Sequence, residues 1–518
     1  MIFIRKLLLM FVCLVVMFCS AAQAQTQGYF KDIFSDGGAY LTPLAYMAAA
    51  DELGLAVEYL CTSESRIQNR VMISDNIDSN GHLLYPDGAP RFRMIYTNGG
   101  YAGDHGNSLG ETGRERVRTF YANGGSYSGS CAGAFIASIH WEDTGSYPDY
   151  YHIWPGRARA TGLLGAYTGH TIPGNSPLLN YYDFGGDLYI GNVRHNNGCY
   201  ADENIDYPPE TEVLLRYDYR GNLDMHRKAS TWAYKPSGPL GLAAGRIVVT
   251  GSHPESVFSG ERLELMQAIL LYALDGTGLP WLKAELTNGE MRSMDLYAGD
   301  SLSEFTRIGD KQYHHFTILV PPEANSLTIE LDAEADFDFN LYANPGEFAF
   351  QDSAQFTSLS EGAEHVLQVP VEEAGLWYIG VECASSVDAN NCVYTGQTDV
   401  LNGVAYDITA TWDTAVVGVT DFSTSPSMVK LYPNFPNPFN PTTTISYAVR
   451  DHSNINLTIF DILGQEVTSL QAGMKPPGNY RVQWNGLNQS GNPVSTGVYF
   501  CRLQAGDYSK TIKMVFLK

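Results

Sequence analysis

The chain has 518 residues, a formal net charge of −24, and charged residues make up only 17 % of it. A surface this acidic repels the phosphates of nucleic acids and of anionic membranes, so we predict no nucleic-acid partner. Eight cysteines in this length exclude a small disulfide-rich scaffold, and the length itself suggests about three domains.

Residues 1–24 have the features of an export signal. Arg5 and Lys6 precede an apolar run too short to span a bilayer, and small residues stand at Ala22 and Ala24. Cleavage after Ala24 would leave 494 residues and, since Arg5 and Lys6 are lost with the signal, a net charge of −26. No later stretch reaches transmembrane length, so we predict a mature chain without a transmembrane segment.

Residues 25–285 alternate short apolar segments with amphipathic ones, a pattern typical of a parallel sheet covered by helices on both faces. The pattern predicts strands at residues 29–34, 56–60 and 92–97, and helices near residues 43–53, 114–121 and 261–274. In open sheets of this kind, ligands bind beyond the carboxyl ends of the strands. Chemically active side chains are therefore expected in the loops that follow strands.

Cys131 stands in a run of small residues, Gly-Ser-Cys-Ala-Gly-Ala at 129–134, between a strand-like segment and an apolar helical one. Small neighbours allow the sharp strand-to-helix turn that presents a nucleophile. The helix that follows would direct backbone N–H groups at the sulfur and at a developing oxyanion. This pattern predicts a catalytic cysteine; a buried, inert thiol is the alternative reading.

His253 and Glu255 follow a β-branched segment and a Gly-Ser turn, with a proline between them. Imidazole can take the proton of a thiol and return it to a leaving amine, while a carboxylate on its other nitrogen sets the tautomer. We therefore predict that His253 is the base and that Glu255 orients it. Two weaker candidates, Asp104 and His105, lie close enough to the 98–101 loop to touch a substrate.

Together the cysteine turn and the His-x-Glu motif resemble the class I glutamine amidotransferase-like superfamily, and most closely the domain at the N-terminus of some biotin-protein ligases. That resemblance implies a flavodoxin-like parallel sheet with helices on both faces. It also implies a triad of Cys131, His253 and Glu255, and an oxyanion and substrate loop that includes Gly99, Gly100 and Ala132. The backbone N–H groups of Gly100 and Ala132 would form the oxyanion hole.

Residues 141–245 are rich in Tyr, Gly and Pro and are longer than the family core requires, so we predict an insertion over the site. No nucleotide-binding signature and no ammonia acceptor are present in the sequence, and His195 and Cys199 lack further metal ligands nearby, so we predict no cofactor and no metal.

These features favour a stand-alone cysteine hydrolase that acts on a small-molecule or peptide amide through a thioester. The alternative is a catalytically inactive, surface-displayed binding protein on the same scaffold. In a further reading, Cys131 replaces the serine of peptidases with a similar elbow.

Residues 286–414 change to alternating strands with frequent turns, and they resemble a pre-peptidase C-terminal domain, a β-sandwich found in secreted hydrolases. Cys383 and Cys392 are close enough in sequence for a bridge, and the sequence leaves both the bridged and the free state open.

Residues 415–430 read as a linker. Residues 431–518 resemble the C-terminal sorting domain of the type IX secretion system through the Pro/Asn-rich segment at 432–442 and the motifs at 462–467, 497–500 and 513–518. The resemblance implies an Ig-like sandwich, the type IX secretion machinery as a partner, and a secreted or cell-surface location in a Gram-negative bacterium. A simple Ig-like binding module is the alternative. The predicted fold class is thus an N-terminal α/β domain followed by two all-β sandwich domains.

Overall fold

The computed structural model describes residues 28–42, 46–60, 67, 71, 79–141, 147–237, 243–278, 280–300, 302–390, 393–414, 429–431, 434, 439, 442–449, 452–476, 478–506 and 508–516. The predicted export signal at residues 1–24, residues 415–428 of the predicted linker, and Cys392 lie outside the described residues. None of the helices in the described ranges combines the length and the apolar character that crossing a membrane requires.

The first sheet contains twelve strands. They are β1 (Lys31–Asp36), β2 (Val57–Tyr59), β3 (Phe92–Thr97), β4 (Ser126–Ser130), β5 (His140–Trp141), β6 (Arg157–Ala160), β7 (Ala166–Thr171), β8 (Tyr189–His195), β9 (Cys199–Ala201), β10 (Thr211–Asp218), β11 (Ala229–Tyr234) and β12 (Ile247–Thr250). The main order is β2-β1-β3-β4-β12-β11-β10-β7-β8, and β5, β6 and β9 pair beside it. Neighbours are parallel from β2 to β12 and antiparallel from β12 to β8.

Both faces of the central strands β3, β4 and β12 are buried. Four α-helices pack on the sheet, α1 (Ala48–Glu52), α2 (Ala102–Ala122), α3 (Ala132–Ala137) and α4 (Glu261–Leu274). Because successive strand residues point to opposite faces, Ile95 joins the core that holds α2 and α3, while Met94 joins the core that holds α4. Apolar packing on both sides fixes the strands, and hence the loops at their carboxyl ends.

The predicted fold class is wrong. Instead of a flavodoxin-like α/β domain that dominates the first half, the described part of the chain has thirty strands against four α-helices, and its largest sheet is mixed. The physical reason lies in residues 141–245, which we predicted to be an insertion over the site. They supply strands β6 to β11, and these extend the sheet in antiparallel fashion with side chains that alternate between buried and exposed.

The next part of the chain is built from two main sheets that share one apolar core, together with a separate two-stranded sheet. Its strands are β13 (Leu282–Glu285), β14 (Met291–Met294), β15 (Tyr313–Val320), β16 (Ser326–Ala333), β17 (Phe339–Pro345), β18 (Phe356–Ser358), β19 (Glu364–Pro370), β20 (Gly375–Cys383), β21 (Val387–Asn390), β22 (Val393–Gly396) and β23 (Tyr406–Asp413). The sheet β13-β15-β20-β17-β18 faces the sheet β14-β23-β16-β19, with Phe316 and Ile329 in the common core. Cys383 is a buried, free thiol.

The last part has the same sandwich-like organisation. Its strands are β24 (Lys430–Leu431), β25 (Thr443–Val449), β26 (Ser453–Asp461), β27 (Glu466–Lys475), β28 (Gly478–Trp484), β29 (Gly497–Ala505) and β30 (Tyr508–Phe516). They form the sheets β24-β25-β28 and β27-β26-β29-β30, and residues such as Ile445 and Ile459 from the two sheets meet in one core.

Buried charges join the first sheet to the first sandwich. The guanidinium of Arg91 lies 2.5 Å from the carboxylate of Asp310, and the side chains are 1 % and 0 % exposed. Nearby, Lys283 Nζ lies 2.6 Å from Asp87. Burial raises the pKa of Asp87, but Lys283 and His314 outweigh this effect and hold the pKa of that carboxyl well below its usual range. A buried charge that lost its partner here would be strongly destabilising.

We expect Arg91→Met to lower the free energy of unfolding by about 3–5 kcal/mol, because it leaves Asp310 buried without its partner. Denaturant unfolding followed by tryptophan fluorescence measures this loss. Arg118→Met is the control, since Arg118 pairs with the exposed Glu111 and Glu115 and should cost at most about 1 kcal/mol. Equal losses in the two variants would show that the Arg91 pair does not hold the two parts together.

Candidate active site

Cys131 lies at the turn between β4 and α3 in a conformation that L-residues rarely adopt, with φ 50° and ψ −103°. Its N–H donates to the carbonyl of Thr250 at 2.9 Å, and its carbonyl accepts from Ala134 and Phe135 at 3.1 Å. Backbone strain of this kind costs about 1–3 kcal/mol and persists only where the surroundings enforce it. The predicted sharp strand-to-helix turn at Cys131 is thus present.

Two glycines allow this turn to form. A Cβ on Gly129 would lie 2.8 Å from the backbone of Gly133, and a Cβ on Gly133 would lie 2.0 Å from the carbonyl oxygen of Thr97. The start of α3 therefore packs directly on the ends of β3 and β4, which only glycine permits. This close approach holds Cys131 at the carboxyl edge of the sheet.

We expect Gly133→Ala to lower the free energy of unfolding by about 1–3 kcal/mol, because the new methyl group overlaps the Thr97 carbonyl and forces a backbone shift. Chemical denaturation measures the change. Gly174→Ala is the control, since its Cβ would meet nothing within 4 Å, and it should change stability by no more than about 0.5 kcal/mol. A Gly133→Ala protein as stable as the control would contradict the close packing.

His253 and Glu255 follow β12, the strand beside β4. His253 Nδ1 lies 2.8 Å from Glu255 Oε1, and the two side chains are 13 % and 4 % exposed. The backbone N–H of His253 donates to the carbonyl of Arg194 at 2.8 Å, and the 3-10 turn Pro254–Ser256 brings Glu255 back to the ring. The structure thus brings the side chains of His253 and Glu255 together.

Cys131 lies close enough to His253 to influence the pKa of the imidazole. Since Glu255 holds Nδ1, Nε2 of His253 is the nitrogen left for the thiol. Burial lowers the pKa of His253, but the hydrogen bonds to Cys131 and Glu255 and the charges of both outweigh burial and raise the pKa to about 10. An imidazole in this setting can accept the thiol proton and hold it beside the sulfur.

The loop after β3 closes the other side of the site. A Cβ on Gly99 would lie 2.3 Å from Cε1 of His253, and a Cβ on Gly100, where φ is 146°, would lie 2.4 Å from the carbonyl oxygen of Tyr40. Ala132 is the first residue of α3, so its N–H belongs to the helix turn that has no intrahelical acceptor. The glycine loop, His253 and the Cys131 turn therefore meet at one edge of the sheet.

Sequence reasoning missed three residues that hold this arrangement. Ser130 Oγ donates to Glu255 Oε1 at 2.9 Å, Tyr96 donates to Ser130 at 3.2 Å, and the carbonyl of Asn196 lies 3.5 Å from the sulfur of Cys131. Ser130 and Tyr96 keep Glu255 fixed under the ring. The available signals were that Ser130 precedes Cys131 and that Tyr96 lies on β3. Neither the spacing nor the residue type identifies Ser130 or Tyr96 as a residue that supports Glu255.

His105 is buried and does not line a surface loop. Its ring lies 2.9 Å from the Asp36 carboxylate and 2.8 Å from the carbonyl of Ala39. Burial lowers the pKa of His105 and Asp36 outweighs this, so the net direction is upward. The pair fastens residues 39–42, which contact Gly100, to the end of β1. Asp104, the other weak candidate, is exposed on α2.

The weak metal candidates are engaged in other contacts or buried. His195 Nε2 lies 2.6 Å from Thr161 Oγ1 and its Nδ1 lies 3.2 Å from Ser252 Oγ, while Cys199 is a buried, free thiol. Within the part of the chain that is described, no three side chains from histidine, cysteine, aspartate and glutamate are grouped as metal ligands.

Comparison with protein families finds a match at the C-terminal end. Residues 440–509 match the FlgD Ig-like domain, and this range contains the whole of strands β25 to β29. No curated protein matches the chain. Within the described residues the chain is β-rich, and its residues 440–509 are similar to an Ig-like domain.

Among solved structures, the chain is similar to PorZ, a surface component of the type IX secretion system of Porphyromonas gingivalis, at 22 % identity over 23 % of this chain and 14 % of that chain, with a TM-score of 0.14. It is also similar to latent PorU of the same organism, at 16 % identity over 44 % of this chain and 20 % of that chain, with a TM-score of 0.17. A β-galacturonidase of Eisenbergiella tayi follows at 7 % identity over 39 % and 35 %, with a TM-score of 0.13. The chain covers well under two thirds of each, and these TM-scores assign no shared fold.

Proposed function

We propose that the chain is an exported cysteine-dependent hydrolase that cleaves an amide or peptide bond. The observation that carries this proposal is the strained Cys131 beside His253, whose pKa it raises and whose Nδ1 is held by the buried Glu255. A nucleophile, a base and a group that orients the base, in that order, are what acyl transfer requires. The motif resemblance to class I glutamine amidotransferase-like proteins supports the same three roles.

The first half-reaction forms a thioester. His253 accepts the thiol proton as Cys131 Sγ attacks the carbonyl carbon, and the carbonyl π electrons move onto oxygen. The N–H groups of Gly100 and Ala132 are proposed to stabilise this oxyanion. When the tetrahedral species collapses, the C–N bond breaks, the amine leaves with the proton from His253, and the acyl group remains on sulfur.

The second half-reaction releases the acid. Water attacks the thioester carbon while His253 takes one of its protons, and the C–S bond then breaks. The sulfur recovers the proton from His253, so the enzyme returns to its starting state with no outside oxidant or reductant. Glu255 contributes throughout by holding Nδ1, because a rotated ring would present no acceptor to the thiol.

We further propose that residues 431–518 direct the protein through the type IX secretion machinery to the surface of a Gram-negative cell. The motifs in this segment and the Ig-like domain matched at residues 440–509 support this role. Fusion of residues 431–518 to a reporter with an export signal tests it. Reporter at the cell surface is expected, and retention in the periplasm would remove the sorting role.

A panel of amide substrates tests the hydrolase proposal. The purified chain is incubated with a peptide library and, separately, with free glutamine, and release of new amines or of ammonia is measured. Hydrolysis of one class is expected and separates a peptidase from a glutaminase. If neither class is cleaved but a peptide binds tightly, the inactive binding protein is the better description.

A further inference from the structure

Arg194 stands beside the candidate triad. It is the partner of His253 in an antiparallel bridge, and on its other side it is opposite Tyr167 of β7. Paired residues of antiparallel strands point to the same face, with Cβ atoms about 4.5–5.5 Å apart. The side chains of Tyr167, Arg194 and His253 therefore start from one face in a row across the edge of the sheet, and His253, at the end of this row, interacts with Cys131.

The neighbours of Arg194 in sequence support this placement. Val193 and His195 are buried, whereas Arg194 is exposed, as expected when alternate residues face opposite sides. Tyr167 is 62 % exposed on the same side. Asn196, two residues along, presents its carbonyl to Cys131. The Arg194 side chain thus reaches solvent on the side where a substrate would approach the thiol.

Arg194 has no carboxylate partner among the residues that the structure describes. In this chain, which has a net charge of −24, several other arginines around the first sheet are paired with acids. Paired examples are Arg91 with Asp310, Arg93 with Asp32, Arg157 with Asp206 and Arg216 with Glu203. A cation left unpaired next to the nucleophile is available for an anion that comes from outside.

We propose that Arg194 is the specificity-determining residue of this site and binds a carboxylate of the substrate close to the scissile amide. The inference rests on the proposed hydrolase function. Arginine binds carboxylates through two parallel N–H donors, and carboxylates are the anions that peptides carry. The carboxylate belongs either to the C-terminus of a peptide or to an acidic side chain, and Tyr167 offers an aromatic surface beside it.

Matched peptides separate these two sources. One peptide ends in a free carboxylate, the second is its C-terminal amide, and the third is the amide with an internal glutamate. The wild-type chain is expected to cleave one or both anionic peptides about 10- to 100-fold more efficiently, in kcat/KM, than the neutral amide. Which anionic peptide is preferred identifies the position of the carboxylate.

Arg194→Gln should bring the ratio of kcat/KM for the anionic peptide to kcat/KM for the neutral amide close to one, and Arg194→Lys should restore part of this preference. Arg220→Gln, which removes an exposed arginine after β10, is the charge-matched control and should keep the preference. Equal preference in Arg194→Gln and wild type would overturn the role of Arg194.

Binding without turnover keeps this test separate from the hydrolase proposal. The Cys131→Ala variant, alone and with Arg194→Gln, is titrated with the same three peptides by calorimetry. Tighter binding of an anionic peptide that depends on Arg194 supports the carboxylate site even if the wild-type chain cleaves nothing, in which case the hydrolase proposal alone fails. Binding that is independent of Arg194 and of peptide charge contradicts the carboxylate site.

Discussion

Replacing Cys131 by alanine is expected to reduce amide hydrolysis by about 10⁴- to 10⁶-fold, because the thiol forms the covalent bond to the acyl group. The side chain is small and the residue is only 5 % exposed, so the fold should survive the loss of one sulfur atom. Steady-state rates on the best substrate of the library, together with labelling by a thiol-directed electrophile, measure the effect. Unchanged turnover in this variant would remove Cys131 from the reaction.

Cys199→Ala is the matched control. Cys199 is a free cysteine in the same part of the chain, but it is fully buried, and burial raises the pKa of its thiol well above the usual value. A thiol of this kind is unreactive. The Cys199→Ala protein should therefore keep its activity and its labelling at Cys131. If Cys199→Ala lost both its activity and its labelling at Cys131, the packing around the buried Cys199, and not the chemistry of Cys131, would explain the effect of the cysteine substitutions.

The second large effect is expected at Glu255. Glu255→Gln keeps the shape of the side chain but removes the charge that holds His253 Nδ1 at 2.8 Å, so kcat should fall by about 10²- to 10⁴-fold. The pKa of His253 should also fall, because a nearby carboxylate favours the imidazolium. In the pH profile of kcat, the alkaline limb, which reports loss of the proton donated to the amine, should move to lower pH.

Ser130→Ala is the graded control for Glu255. It removes the 2.9 Å hydrogen bond to Glu255 and the hydrogen bond that Tyr96 donates to Ser130, but it leaves the charge of Glu255 in place. We therefore expect a loss of about tenfold or less and a nearly unchanged alkaline limb. An alkaline limb that stays in place in Glu255→Gln as well would contradict the assignment of His253 as the acid that Glu255 stabilises.

The raised pKa of His253 also predicts how the stability of the protein changes with pH. The pKa of His253 in the folded protein is about 10, above the ordinary value of 6.5. The interactions of the charged ring therefore contribute fully to the free energy of unfolding below about pH 6.5, and this contribution is lost as the pH rises through about 10. The stability difference between wild type and Glu255→Gln should therefore be largest at acidic to neutral pH and shrink towards pH 10. Thermal unfolding across that range measures it.

Local patterns predicted several elements well. The strand expected at residues 92–97 and the helix expected at 261–274 match β3 (Phe92–Thr97) and α4 (Glu261–Leu274). Both have strong periodicity and clear ends: β3 is buried at every position, and α4 begins after Gly260 with acidic residues in its first turn. In such segments the short-range signal and the tertiary packing agree.

The fold class could not be predicted in the same way. Residues 141–245 contain short strands interrupted by turns, such as β6 (Arg157–Ala160) and β9 (Cys199–Ala201), and the composition of Tyr, Gly and Pro resembles that of a surface insertion. Which strands pair is decided by contacts between residues far apart in sequence, as where Arg216 of β10 pairs with Thr171 of β7. No local pattern carries that information.

In the candidate site, too, residues in distinctive local motifs could be found from the sequence, whereas residues that depend on distant partners could not. Motifs pointed to Cys131, His253 and Glu255 because their residue types and local sequence are distinctive, and their catalytic roles stay a prediction. Ser130 and Arg194 were not found in this way, because their roles depend on pairing across the sheet edge. His105 was misread for the same reason, since its partner Asp36 lies 69 residues earlier.

Trapping the acyl intermediate tests the central claim most directly. The chain is mixed briefly with its best amide substrate, quenched in acid, and its intact mass and proteolytic peptides are measured with and without hydroxylamine, which cleaves thioesters. We predict one added acyl group, located on Cys131, that hydroxylamine removes and that is absent from Cys131→Ala. Substrate cleavage with no adduct on Cys131, or with the adduct on another residue, would contradict the account.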